Sequence, residues 1–203
     1  MSEPLDFTDM DWTPFLEATA DLEPTGFHEF AMSHVGTDGA DRHAIDLGFG
    51  GGRDTRLMLS RGWNVFALDV TPEAETILLE RVDPDHRDRL EIAIGRFEEV
   101  PLPSTDLVFA SYSLPFAASA LDAAMAAAVA SVRTGGWFTG VLFGENDDWI
   151  SDEVAAVTRE WIADKLADFD PVHIEETDAD AEFGTDGETK HWHWYFVAAQ
   201  RPA

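Results

Sequence analysis

Cysteine is missing from the chain, and with it go disulfides, thiolate metal ligands and a cysteine nucleophile. Lysine is nearly missing too, since Lys165 and Lys190 are the only two, and arginine carries the rest of the positive charge. With 13 basic residues against 40 acidic ones the formal net charge is −27, which repels phosphate backbones and anionic membranes. No basic patch offsets it, so no nucleic-acid partner is expected. No apolar run approaches the roughly 20 residues a bilayer needs. The start, Met1-Ser2-Glu3-Pro4-Leu5-Asp6, also lacks the basic opening and apolar stretch of a signal peptide. A cytoplasmic protein without a membrane partner is expected. The acidity reads as high-salt adaptation or as compositional drift of a genome, and its runs as solvated faces.

What is present is one respectable core. At 203 residues and 45% apolar composition, a single domain over 1–203 is expected, with a helical cap over 1–40 and a core over 43–203. In the cap, Trp12, Phe15, Leu16, Leu22, Phe27, Phe30 and Met32 follow loosely helical spacing, broken at Pro24-Thr25-Gly26. Strands are predicted at 43–48, 63–68, 90–94, 106–111 and 137–143. Helices are predicted from Asp54, from Thr71-Pro72-Glu73 to about Arg81, from about Ala117 to Val132 with Gly135-Gly136 as the stop, and from Asp152 to about Phe169. Two strands, 171–174 and 192–198, close the chain around an acidic loop from Thr177 to Lys190. Five strand–helix alternations followed by two strands call for an α/β fold with a mainly parallel sheet and an antiparallel terminal pair.

The sharpest signal is Asp46-Leu47-Gly48-Phe49-Gly50-Gly51-Gly52. Glycines at this spacing after a strand let the backbone turn tightly and approach a bulky ligand, while the next helix aims its N-terminus at a negative group. The dinucleotide fingerprint would need glycine where Arg53 stands, and a P-loop would need Gly-Lys-Ser/Thr. Asp69 ends the second strand, where one carboxylate can accept from both hydroxyls of a ribose. An adenosine-containing ligand fits both features.

These residues resemble the class I S-adenosylmethionine (SAM)-dependent methyltransferases, in which D-x-G-x-G-x-G precedes the first helix and an acidic residue ends the second strand. The likeness runs from about Ala44 to Val197, and the loop through Arg53-Asp54-Thr55 is similar to the small-molecule and tellurite-type branch. It implies a three-layer sandwich whose seven-stranded sheet has the order 3-2-1-4-5-7-6, the last strand antiparallel. It also implies SAM as cofactor, with Asp46 facing the ammonium, Gly48 and Gly50 against the methionine part and Asp69 on the ribose. Gly95-Arg96-Phe97-Glu98-Glu99-Val100-Pro101 is similar to the adenine-contacting segment except at Arg96, where an aspartate is usual; Phe97 and Glu98 are the expected contacts. Gly52 and Ser111 complete the cofactor set.

Methyl transfer from a sulfonium mainly requires alignment and exclusion of water, and a base only for a protonated acceptor. Ligands bind outside the carboxyl ends of the strands in such a sheet, which makes Trp12, His28, Tyr112, Asp147 and Trp149 the substrate-side candidates. Tyr112-Ser113-Leu114-Pro115-Phe116 lacks the polar side chain with which DNA and protein-glutamine N-methyltransferases grip an amino group. In Lys190-His191-Trp192-His193-Trp194-Tyr195, two histidines share one strand face with Tyr195. His191 and His193 are the candidate base or acceptor-binding groups; an edge strand with both facing solvent is the rival, and no third ligand at metal spacing supports a metal. The expected activity is methyl transfer to a small-molecule acceptor by a monomer or homodimer. A non-catalytic SAM- or nucleotide-binding protein and a nucleotide-dependent oxidoreductase are the alternatives.

Overall fold

The computed structural model describes residues 10–183 and 188–203. Alternation of side chains across short apolar runs builds a central sheet. β1 (His43–Leu47) lies between β2 (Asn64–Asp69) and β4 (Thr105–Ala110), with β3 (Leu90–Ile94) outside β2 and β5 (Val132–Gly144) outside β4, all parallel. The two-residue β6 (Ala156–Val157) pairs with the end of β5. β7 (Val172–Phe183) and β8 (Glu188–Gln200) form an antiparallel hairpin, and β8 runs antiparallel to β5. Without β6, the order along the sheet is the expected 3-2-1-4-5-7-6, with the last strand antiparallel.

Period-two alternation sends each strand's apolar residues to two separate cores. Ala44, Leu107, Phe109 and Val141 pack under α1 (Thr13–Thr19), α2 (Gly26–Val35), α3 (Arg53–Ser60) and α4 (Pro72–Arg81). Ile45, Leu47, Val108, Phe138 and Leu142 pack under α5 (Leu121–Ser131) and α6 (Arg159–Lys165). β4 is buried along its whole length, as befits a strand covered on both faces. α2 anchors the cap through Phe27, fully buried with its ring 5.1 Å from Phe109 and 5.3 Å from Phe196. A fully buried phenylalanine stabilises by about 1.5–3 kcal/mol relative to an exposed one. The first nine residues of the expected cap lie outside the described residues.

Four expected boundaries are corrected. The helix after β4 begins at Leu121, because Leu114–Ala120 forms a 3-10 segment with Ala118 at φ 50°. The 18-residue stretch Leu114–Ser131 has the length and hydropathy of a membrane span, nearer the bilayer limit than the sequence reading allowed. In the fold, Leu121, Ala124, Met125 and Ala128 of that stretch are buried, an i, i+3, i+4, i+7 stripe. Gly135 and Gly136 do not end a helix; they lie inside β5, where a Cβ on Gly136 would come 2.9 Å from the carbonyl oxygens of Arg133 and Asp106. The helix expected from Asp152 covers only Arg159–Lys165, since Ala156 and Val157 pair with β5 and Thr158 caps the helix by accepting from the Trp161 amide at 3.2 Å. The acidic stretch from Thr177 is strand as far as Phe183, and strand resumes at Glu188; its remaining residues lie outside the described ones.

Candidate active site

The carboxyl ends of β1, β2 and β4 open into a cavity of about 1220 Å³. The turn after β1 is shaped for it. Gly48 has φ +75°, and a Cβ there would come 2.3 Å from the Ser113 Cβ, so the backbone at this point lies flush against the loop after β4. The amides of Gly50 and Thr71 donate to the two oxygens of Asp69 at 2.9 and 2.8 Å, which ties the glycine turn to the end of β2. A carboxylate has about four lone-pair sites, so two remain on Asp69 for a ligand.

Asp46, at the end of β1, is 2% exposed and accepts from the Thr55 hydroxyl at 2.5 Å. Burial, reinforced by the neighbouring Asp54 and Asp69, pushes its carboxyl up to about 8 against the pull of Thr55 and Arg53. Burial also lifts Asp54, but the bond from His28 (2.9 Å) and the guanidinium of Arg53 (2.8 Å) outweigh it and hold Asp54 below the usual carboxylate range. Tyr112 follows β4 at φ 55°, a conformation rarely tolerated by a side chain this large, and burial drives its phenol up to about 12.

Of the cofactor-side residues picked from sequence, Asp46, Gly48, Gly50, Asp69, Phe97, Glu98 and Ser111 all line this cavity. Glu98 does so with one oxygen already accepting from Arg96 at 2.8 Å. Gly52 does not line it: at φ +80° it precedes α3, and a Cβ would come 2.4 Å from Leu78 of α4, so its role is close packing. Three buried polar atoms of lining residues, Ser111 Oγ, Thr25 Oγ1 and Arg53 Nε, have no hydrogen-bond partner among the described residues. Buried polar groups are nearly always satisfied, so these fit a polar ligand in the cavity. With Asp46 for an ammonium and Asp69 for a diol, the donor set suits SAM.

On the substrate side, Trp12, Tyr112 and Trp149 line the same cavity, while His28, Asp147, His191 and His193 do not. Period two put His191 and His193 on one face of β8, and that face carries the β7 carboxylates. His191 bonds Asp180 at 2.7 Å and Asp178 at 2.6 Å, and those bonds, led by Asp180, raise its basicity. His193 is 6% exposed, lies 3.3 Å from Glu176 and accepts from the Asn146 amide. Both are removed from the reacting end, so the base role expected for them is withdrawn. His28 is buried on Asp54. Asp147 is a brace: it accepts from the amides of Trp149 and His193, each at 3.0 Å, and pairs with the buried Lys190.

The other face of β8 carries Trp192, which lines the cavity and was missed, as was Phe116. A signal for Trp192 existed. Glu176, Asp178 and Asp180 alternate on the neighbouring strand, so the histidine face meets carboxylates and the tryptophan face must turn inward.

Residues 45–139 match the family model described as a methyltransferase domain. This domain match covers β1 to most of β5 and therefore every cofactor-side residue named above. No curated protein matches the chain by sequence. Among solved structures, a chain of the complex between the Haloferax volcanii Trm112 methyltransferase activator and a methyltransferase is 19% identical, with TM-score 0.70 and 95% of each chain covered. TehB from Haemophilus influenzae is 13% identical with TM-score 0.71, covering 93% of this chain and 66% of that one. The 1,6-didemethyltoxoflavin-N1-methyltransferase of Burkholderia thailandensis, solved with S-adenosylhomocysteine, is 19% identical with TM-score 0.61, covering 92% and 80%. At these identities the neighbours establish the methyltransferase fold. Together with the domain match they support SAM as the cofactor.

Proposed function

We propose that the protein is a SAM-dependent methyltransferase acting on a small-molecule acceptor. The observation that carries the proposal is the cavity itself, where the buried Asp46, a backbone-held Asp69 and the Ser111 hydroxyl, without a partner among the described residues, converge at the carboxyl ends of three parallel strands. When bound, SAM supplies a methyl group already activated on a sulfonium. The residues then have three tasks. Asp46 gives up its proton to meet an ammonium, Asp69 accepts from ribose hydroxyls with its remaining lone pairs, and Phe97 and Glu98 flank the base. Trp12, Tyr112, Phe116 and Trp149 exclude water from the other half of the cavity, and exclusion with alignment is most of what such a displacement needs.

The small acceptor follows from the acidic surface, which disfavours nucleic acid, and from the wall formed by cap and hairpin within the described residues. The tellurite-type branch, suggested by the glycine loop, has TehB among the structural neighbours in its favour. A cytoplasmic, single-domain monomer or homodimer remains the expected form. Calorimetry with SAM tests the reading. Millimolar or tighter binding that Asp69→Ala weakens at least about tenfold, equivalent to about 1.4 kcal/mol, is expected. Unchanged affinity in the variant overturns the ribose assignment, and NADH raising the melting temperature where SAM does not would favour an oxidoreductase.

A further inference from the structure

The two arginines that line the cavity are used differently. Arg96 is half exposed and places its Nε on Glu98 at 2.8 Å. Arg53, the first residue of α3, reaches Asp54 through a terminal nitrogen at 2.8 Å, while its buried Nε has no partner among the described residues. Thr25 repeats the pattern. It stands immediately before α2 in extended backbone (φ −73°, ψ 163°), where a threonine hydroxyl ordinarily accepts from an amide of the first turn. It makes no such bond, and its Oγ1 is buried without a partner among the described residues. Short contacts tie the two residues together. The Thr25 carbonyl accepts from the His28 amide at 3.0 Å, the His28 ring bonds Asp54 at 2.9 Å, and Asp54 takes the terminal nitrogen of Arg53.

One N–H and one O–H beside a guanidinium charge are the complement of a carboxylate, whose two oxygens can each accept one of them. A phosphate suits them less well. It brings up to two charges and a third oxygen, and the same lining already holds Asp54 and Asp69 while its other guanidinium is on Glu98. An ammonium suits them least, because an arginine Nε only donates. Arg53 also acts on both halves of the cavity: its charge opposes the upward shift of the Asp46 carboxyl on the cofactor side and of the Tyr112 phenol on the acceptor side.

We infer that Arg53 Nε and Thr25 Oγ1 form a subsite for a carboxylate. This rests on the methyltransferase reading only for what carries that group, the methionine end of SAM or the acceptor, and the test separates the two. Calorimetry compares S-adenosylhomocysteine with its decarboxylated analogue, and benzoate with benzamide in protein with and without S-adenosylhomocysteine. The unmodified protein, Arg53→Lys, Thr25→Val and Thr25→Ser are each titrated. If SAM brings the carboxylate, S-adenosylhomocysteine binds about tenfold or more tightly than the analogue, and Arg53→Lys and Thr25→Val each cut that ratio to about threefold or less. If the acceptor brings it, that ratio is near one, and benzoate outbinds benzamide about tenfold in protein holding S-adenosylhomocysteine, a preference that the same two variants cut likewise. Thr25→Ser keeps the hydroxyl and should keep whichever preference is found. No preference for the carboxylate in either pair, or a preference that Arg53→Lys or Thr25→Val leaves intact, overturns the inference. Should S-adenosylhomocysteine fail to bind while benzoate is still preferred and the variants still abolish that preference, the proposed activity falls and the carboxylate subsite stands.

Discussion

Asp46 offers the most direct quantitative check on the site. Burial, with Asp54 and Asp69 nearby, moves its carboxyl from 3.8 to about 8. In the unfolded chain the group ionises near 3.8, so between that pH and about 8 the folded protein holds one proton more than the unfolded one. Stability from this site is therefore complete below pH 3.8 and declines as pH rises to about 8, by about 1.4 kcal/mol per unit. Asp46→Asn removes the proton while keeping an oxygen for the Thr55 hydroxyl. In urea unfolding, the difference in free energy between variant and wild type should move in the variant's favour by about 3 kcal/mol from pH 5 to pH 7. Comparing the two proteins at each pH cancels the titration of the other acidic residues. Saturating SAM should reverse the order, because an ammonium needs the carboxylate that the variant lacks. A difference that stays flat between pH 5 and pH 7 would mean that Asp46 is ionised in the folded chain, and the desolvation argument would fail.

Three further outcomes are expected. Ser111→Ala removes a buried hydroxyl that has no partner among the described residues, so it should leave the ligand-free protein as stable or about 1 kcal/mol more stable, by thermal unfolding, while weakening SAM binding in calorimetry. Asp147→Ala strands the ammonium of Lys190, which is 5% exposed, and should cost about 3–5 kcal/mol in urea unfolding, whereas the joint change Asp147→Leu with Lys190→Met should recover most of that loss. Gly52→Ala, at φ +80° and 2.4 Å from Leu78, should cost about 2–4 kcal/mol; Gly135→Ala, at φ +79° with open space around it, should cost only the backbone term of about 1–2 kcal/mol, and equal losses would refute the packing role given to Leu78.

The parallel half of the molecule was legible in the sequence because it obeys local rules. Strands such as Thr105–Ala110 are mostly apolar runs, helix starts carry Pro72 or follow a glycine turn, and Asp46 and Asp69 sit at strand ends where period and turn chemistry agree. The hairpin was less legible because its logic is non-local. Asp178 and Asp180 have poor strand propensity and fall in the acidic loop expected from Thr177, yet they pair in β7 opposite His193 and His191. Alternation correctly divided β8 into a histidine face and a tryptophan face. Which face turns to the cavity depends on the order β5-β8-β7 and on the charges of a neighbour, and no window within β8 carries that information. Ala156–Val157 shows the same limit: a two-residue strand exists only because β5 is beside it.

Helix α1 has one more consequence. The Leu16 carbonyl and Ala20 crowd Gly51 so closely that an added Cβ would come within 2.4 and 2.7 Å of them, and Trp12, immediately before that helix, lines the cavity. One short rod thus touches both halves of the chamber. Whatever stiffens the turn beneath Leu16 also fixes the indole at the rod's other end, and by thermodynamic reciprocity a guest against the indole strengthens the hold on whatever occupies the turn. The two occupants would then help each other in, with no moving lid required.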